Sequence, residues 1–335
     1  MNLDKIGNAI AFLRKRAGYT QKELADRIGI SDKAVSKWER GLSFPDVSCL
    51  RKLSILLDTD TDSLLEGDVI NHDHGWCGLL VLDENVQGIN AGTVIYDKPL
   101  VYYLLSYYIL VGIQTIAISC SEKDKKYMQE ELDSGSELGL KIAYCDPLGI
   151  NDHPMFKGFT NVMVIFGREF IYGVDQTRFF QRAMLNKDRI TILSLPRKRF
   201  DAVPRIIFDK EKRIVDFEDE EKLNTQYDYY EIPVFFCPKD KLALICTDNG
   251  ACVRGNDILY TEVLDRGYVE MSIDTWEDVS TVSNFVKTVQ YACGMEIYCI
   301  EEIAWRRGFI STETLKRFGD LQSNSHYGQY ILSLI

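Results

Sequence analysis

WCGLLVLDENVQGINAGTVIYDKPLVYYLL, residues 76–105, is the stretch on which the reading of this chain turns. Gly78–Leu82 is a short apolar run, as expected of a strand buried on both faces. Gly88 and Gly92 follow where a phosphate loop would sit. Yet from Trp76 to Asp97 there is no Lys or Arg. The stretch has the layout of a nucleotide-binding strand and loop without the cations that hold phosphate.

Downstream, the pattern alternates. A helix is expected over 99–111, the strand TIAIS over 115–119, the charged helix EKDKKYMQEEL over 122–132 and the strand KIAYC over 141–145. NVMVIFG (161–167), a helix over 177–185 and ITILSL (190–195) continue it. Strand–helix alternation of this kind predicts a parallel sheet covered on two sides. RIIFDKEKRIVDFED (205–219) and EIPVFFC (231–237) predict a hairpin and an inserted mixed sheet, and four helices, 275–292, 301–307, 312–318 and 325–333, close the chain.

Upstream lies a different pattern. Ile6, Ala9, Ile10 and Leu13 recur at helical spacing within 4–17. Thr20 caps QKELADRIGI, which stops at Gly29, and Ser31 caps DKAVSKWER, which stops at Gly41. Pro45 and Asp46 open a fourth helix, DVSCLRKLSILL, and DTDSLLEG makes a fifth. Two short helices separated by a glycine-containing turn form the helix-turn-helix pattern. EGDVINHDHGW (66–76) loses periodicity and reads as a linker. His72 and His74 there have no third ligand nearby in sequence and read as solvated rather than metal-binding.

Charge divides in the same way. Residues 1–57 hold eleven Lys/Arg against six Asp/Glu, net +5, while the rest of the chain carries −16. A basic head on an acidic body implies that only the head meets a polyanion. Nine scattered cysteines without a CxxC pair read as reduced thiols of a cytoplasmic protein. No membrane-spanning run or hydrophobic signal core is present, so no membrane partner is expected.

LRKRAGYTQKELADRIGISDKAVSKWERGLSFPDVSCLRKLSILLDTDTDSLL resembles a Cro/C1-type (XRE family) DNA-binding domain across its five helices. That resemblance implies an all-α, lambda-repressor-like domain with Ser31–Arg40 in the major groove of double-stranded DNA. The reading positions then fall on Asp32, Lys33 and Lys37, with Gln21 at the start of the second helix, and Ser31 and Ser36 on the same surface. Arg14, Arg40 and Ser43 fall where phosphate is touched, and Arg14 with Glu39 matches a family pair that bridges two helices. A helical bundle with exposed charge is the competing reading.

The remainder resembles the sugar-phosphate nucleotidyltransferases, nearest the glucose-1-phosphate thymidylyltransferases. The carriers are VIYDKPLVYYLLSYYILVGIQTIAIS, SNFVKTVQ with GMEIYCIEEIAWRRGFIS, and SHYGQYI. The resemblance implies a Rossmann-like α/β fold, a mostly parallel sheet with helices on both faces. The implied division is a DNA-binding domain at 1–67, a linker at 68–76 and a nucleotidyltransferase-like domain at 77–335.

Against that family the chemistry is depleted. Active members carry a glycine-rich loop with an Arg, then a catalytic Lys before Tyr-Asp-Lys-Pro. Here the segment is several residues shorter, Gly92-Thr93 is what remains, and Asp83 and Glu84 add negative charge. The two Asp that hold Mg²⁺ in the family align with Arg168 and Ser272, with Asp274 two residues on. The base-reading Gln becomes Asp146, before Pro147. Glu220-Glu221-Lys222 matches the family's sugar-phosphate contact, though Glu221 also aligns with its Lys, and a charged strand end is the competing reading. Phosphoryl transfer rests on positioning and electrostatics, so each loss should cost orders of magnitude.

The expectation is a transcription regulator whose catalytically inactive body senses a sugar phosphate or nucleotide sugar, or joins two or four heads. Ligand contacts would come from Gly92, Thr93, Asp146, Arg168 and Lys222, with no cofactor or metal. The alternative is an active, Mg²⁺-dependent thymidylyltransferase that carries a DNA-binding domain.

Overall fold

The computed structural model describes residues 3–16, 19–57, 59, 61–66, 75–82, 87–197, 205–218, 228–246 and 258–335. The chain folds as two compact units, one of Met1–His74 and one of Gly75–Trp305 with Phe309–Ile335. The linker histidines, Asp83, Glu84 and Glu220–Lys222 lie outside the described residues.

The first unit is five helices: α1 (Leu3–Arg16), α2 (Gln21–Ile28), α3 (Asp32–Glu39), α4 (Val47–Leu56) and α5 (Thr61–Glu66). Thr20 caps α2 in a reciprocal box with Glu23, and Gly29 ends it at φ 88°, where a side chain would be strained. Ile6, Ile10, Leu13, Leu24, Val35 and Leu53 are among the residues that fill the core. Gly7 sets how closely α1 approaches α3, since a Cβ there would lie 2.3 Å from the Trp38 carbonyl oxygen.

The second unit is built on a nine-stranded sheet. Its parallel half is β1 (Trp76–Val81), β4 (Thr115–Ser119), β5 (Lys141–Tyr144) and β6 (Asn161–Phe166), in the order β6-β1-β4-β5. β11 (Asp228–Pro238) pairs antiparallel with β6. Beyond it lie the antiparallel pair β9 (Arg205–Phe208) and β10 (Ile214–Glu218), and the parallel pair β8 (Ile190–Arg197) and β12 (Leu259–Val263). Two small antiparallel pairs stand outside the sheet: β2 (Val94–Ile95) with β3 (Lys98–Pro99), and β7 (Glu169–Tyr172) with β13 (Val269–Ser272).

Helices are α6 (Leu100–Leu110), α7 (Glu122–Leu132), α8 (Gln176–Leu185), α9 (Leu242–Cys246), α10 (Trp276–Cys293), α11 (Ile300–Arg306), α12 (Thr312–Leu321) and α13 (His326–Ser333). They cover the two faces unequally. Apolar side chains of the long helices all join one core with Trp76 and Leu80. Cys77, Leu79 and Val81 face a second core, closed by α9 and by 3₁₀ turns carrying Ile150 and Phe156. The segment CDPLGINDHPMFKG supplies those turns, and its prolines and glycines forbid a long helix.

α6 reads LVYYLLSYYIL and is apolar all round because it is buried all round. Its Tyr108 ring lies across β1, so that a Cβ on Gly78 would meet it at 2.7 Å, and its hydroxyl donates to the Leu79 carbonyl at 2.7 Å. Gly78 is thus a packing glycine of the central strand.

Candidate functional site

In the head, Asp32, Lys33, Ser36, Lys37 and Arg40 recur at i, i+1, i+4, i+5 and i+8, which puts them on one face of α3. Val35 and Trp38 turn to the core, while Asp32, Lys33, Lys37 and Arg40 are exposed and Ser36 is half-buried. The Ser31 hydroxyl is spent as the helix cap, accepting from the Ala34 N–H at 3.3 Å. Arg40 Nε donates to the Ser36 carbonyl at 3.2 Å, which holds its guanidinium at the helix end. Ser43 follows, half-buried.

Gln21 and Arg14 serve an internal network. Arg14 Nε and Nη2 donate to Glu39 at 2.5 and 3.0 Å, and Nη1 donates to the Tyr19 carbonyl at 2.6 Å. Gln21 Nε2 donates to the same Glu39 carboxylate at 2.7 Å. Arg14 is buried, so its charge holds α1 to α3 rather than reaching phosphate. The Gln21 amide oxygen and its second N–H are left for a base.

In the body, the carboxyl ends of β6, β1, β4 and β5 line one sheet edge, where ligands of open α/β sheets bind. Arg168 follows β6 and Asp146 follows β5. They stand three strand spacings apart, about 14 Å. Asp146 is exposed and Arg168 is 3% exposed.

The loop between β1 and β2 has no amide to spare for phosphate over residues 90–93. The Ala91 N–H donates to the buried Asp124 carboxylate at 2.7 Å, and the Gly92 N–H to the Asn90 side chain at 2.9 Å. The Asn90 N–H takes the Thr93 hydroxyl at 2.9 Å, and the Thr93 N–H takes the Asn90 carbonyl at 2.9 Å. A carboxylate from α7 thus fills the role an anion would have. Gly92 lies under the Tyr127 ring, where a Cβ would meet it at 2.7 Å. Gly92 and Thr93 serve packing and loop closure here.

The two aligned metal positions do come together. β7 and β13 pair in the register Ser272↔Glu169, and the Ile273 N–H donates to the Arg168 carbonyl at 3.1 Å. The Ser272 hydroxyl lies 2.9 and 3.1 Å from the two oxygens of Glu169. Burial, then the neighbouring Glu270 charge and its hydrogen bond, push the Glu169 carboxyl up to about 8. The Glu169 carboxyl is thus spent on Ser272 and Glu270. Among the described residues no group of three or more His, Cys, Asp or Glu converges on a metal position. The edge has become a carboxyl pair bonded to a serine beside a buried arginine, and these residues do not fit a divalent cation.

Glu169, Glu270, Asp124 and Tyr127 are the residues that sequence reasoning missed. Lys222 lies outside the described residues. The eight described cysteines are free, and no described helix is long and apolar enough to cross a membrane.

Comparison with known proteins assigns the two parts. Residues 10–64 match the helix-turn-helix family model. A glucose-1-phosphate thymidylyltransferase of Neisseria meningitidis is 28% identical over 259 residues, covering 72% of this chain and 90% of that protein. The Mycolicibacterium smegmatis enzyme of the same name is 28% identical over 264 residues, with the same coverage. A crystal structure of a Bacillus anthracis protein described as a glucose-1-phosphate thymidylyltransferase, in complex with sucrose, superposes with a TM-score of 0.50 at 13% identity. It covers 63% of this chain and 94% of its own, and shows the shared fold. The chain joins a helix-turn-helix DNA-binding domain to a glucose-1-phosphate thymidylyltransferase-like region.

Proposed function

We propose that this joining of a helix-turn-helix domain to a thymidylyltransferase-like region makes a sequence-specific transcription regulator whose body has lost catalysis. The division at 1–67, 68–76 and 77–335 is part of this reading. The cytoplasm is its location and double-stranded DNA its partner. Lys33, Lys37 and Asp32 read bases, with Gln21 contributing its amide oxygen. Arg40, Ser43, Ser36 and the Ser31 backbone face phosphate. The body serves as the joint of a homodimer or homotetramer, since two heads on one site gain affinity through effective concentration. It also senses a sugar phosphate or nucleotide sugar at the carboxyl edge, with Arg168 and Asp146 as polar contacts there, and the resemblance adds Lys222 to the ligand's contacts. No cofactor is required.

The observation that carries the loss of catalysis is the bonded Ser272–Glu169 pair beside buried Arg168, at the positions of the family's metal carboxylates. The test is turnover of dTTP and glucose-1-phosphate with Mg²⁺. No dTDP-glucose is expected above the uncatalysed background. A second reading, an active transferase carrying a DNA-binding domain, draws on Glu169 and Glu270 as replacement carboxylates for Mg²⁺. Turnover that disappears in Glu169→Ala would establish that reading and overturn the first.

A further inference from the structure

The body holds a second concavity, none of whose lining residues belongs to the carboxyl edge. Its volume is about 420 Å³, and it opens between the end of α10, the loop after it, α13 and the β2–β3 turn. This lies within the range of small-molecule sites, about 300–1,000 Å³. Tyr96, Tyr291 and Tyr330 line it with aromatic surface, and Gln290, Glu296 and His326 with polar groups. No Lys or Arg lines it.

The polar residues are organised. Buried Gln290 spends its amide N–H groups on Glu296 Oε2 at 2.5 Å and Asp97 Oδ2 at 3.2 Å, which leaves its oxygen as an acceptor. His326 Nδ1 lies 3.2 Å from Glu296 Oε1, with its ring otherwise in solvent. Burial, then the hydrogen bond and charge of Asp97, push the Glu296 carboxyl up to about 8. Burial alone would raise Asp97 too, but hydrogen bonds from Glu296, Lys98 and Gln290, with the Lys98 charge, hold it below the usual range. Lys98 Nζ sits 2.6 Å from Asp97 and over the Tyr103 and Tyr327 rings, inside the protein. Glu302, which accepts from the Tyr330 hydroxyl at 2.7 Å, adds a further carboxylate behind the wall. Among the described residues no lining cation offers itself to a phosphate.

Two tyrosines are placed in ways that packing does not require. Tyr96 sits at φ 60°, in the left-handed region that side chains avoid, and its N–H is held by the Ser283 hydroxyl at 3.1 Å. Backbone strain of this kind collects at functional sites. Tyr291 is 92% exposed and makes no hydrogen bond among the described residues. A pocket with aromatic walls, amide and carboxyl groups and no Lys or Arg in its described lining suits a ligand with one apolar face and several hydroxyls.

We propose that this pocket binds a neutral sugar of one or two rings, its apolar face against the tyrosines and its hydroxyls on Gln290, Glu296 and His326. This site is separate from the carboxyl edge and stands whether or not the body has lost catalysis. The test uses the full chain, with saturation-transfer NMR and calorimetric titration against glucose, galactose and maltose. Glucose-1-phosphate and dTTP are the charged controls. Saturable binding of at least one neutral sugar is expected. Tyr291→Ala and Tyr96→Gly should each weaken it by about tenfold. Tyr96→Gly suits the left-handed turn, so its melting temperature should not fall, which separates lost binding from lost folding. The proposal is overturned if none of the three sugars saturates, or if the affinity is unchanged in both variants.

Discussion

The recognition face of α3 and the carboxyl edge of the sheet are both surfaces where a resemblance places function, and they treat their polar groups in opposite ways. On α3, Asp32, Lys33, Lys37 and Arg40 point into solvent, held only by bonds local to the helix. At the edge, Arg168 and Glu169 are buried, Glu169 is bonded to Ser272 and Glu270, and the amides of residues 90–93 are already satisfied. A surface that waits for a polyanion leaves its donors unspent. An edge whose carboxyl and loop amides are bonded to one another keeps those groups for the fold.

Four measurements break or sharpen that contrast, taken from the largest expected effect. Glu39→Ala strands the buried Arg14 and leaves Gln21 without its acceptor. The head should lose about 3–5 kcal/mol and DNA binding with it, read from thermal unfolding and gel shift. If Gln21→Ala, made alone, leaves base preference unchanged, Gln21 belongs to the network alone. Lys37→Ala should cost about 1–3 kcal/mol of binding and relax preference at one base pair, with folding unchanged. An equal loss on all sequences would make Lys37 a phosphate contact instead.

Gly92→Ala tests the other surface. Its Cβ would press on the Tyr127 ring, so stability should fall by about 1–3 kcal/mol, while binding of nucleotides and sugar phosphates should not change. A selective loss of ligand affinity with normal melting would return Gly92 to a phosphate loop. The smallest effect concerns pH. Glu169 titrates near 8 in the fold and near 4.5 when exposed, so the folded state holds its proton longer. The stability that this proton confers is complete below about pH 4.5 and is lost as pH rises through 8. Glu169→Gln should therefore raise the melting temperature at pH 8.5 and leave it nearly unchanged at pH 4.5. A parallel shift at both pH values would show that the carboxyl pair is absent.

The elements with strong periodicity were legible to within a residue or two, because cap, apolar stripe and stop signal agree. TIAIS and EKDKKYMQEEL fall on β4 and α7 as read, and α2 and α3 follow their caps. What escaped was set by distant contacts. β7 and β13 are four residues each, and only their pairing makes them strands. Asp124 looks in sequence like a partner of the Ser121 cap, and it is one, at 2.9 Å from its second oxygen. Its first oxygen reaches Ala91, thirty-three residues away, and no local pattern announces that bond. The face of α3 could be read because helical spacing alone decides it. Gly7 and Gly92 could not, since their partners Trp38 and Tyr127 belong to other elements.

The order of strands has a consequence in time. β1 is the first strand of the sheet to be synthesised, yet its neighbours are β4 and β6, so Trp76 waits for Asn161 before it has a partner on that side. β8 waits less long, for β11 and then β12. Long-range parallel pairing is slow, while a bundle of short helices with local contacts closes quickly. On the ribosome the head is complete before β1 has a partner on either side, and one edge of β1 stays open to aggregation until residues 161–166 emerge. Synonymous codons that slow translation between β1 and β6 should therefore lower the soluble yield of the full chain, and the folding of the head should be indifferent to them.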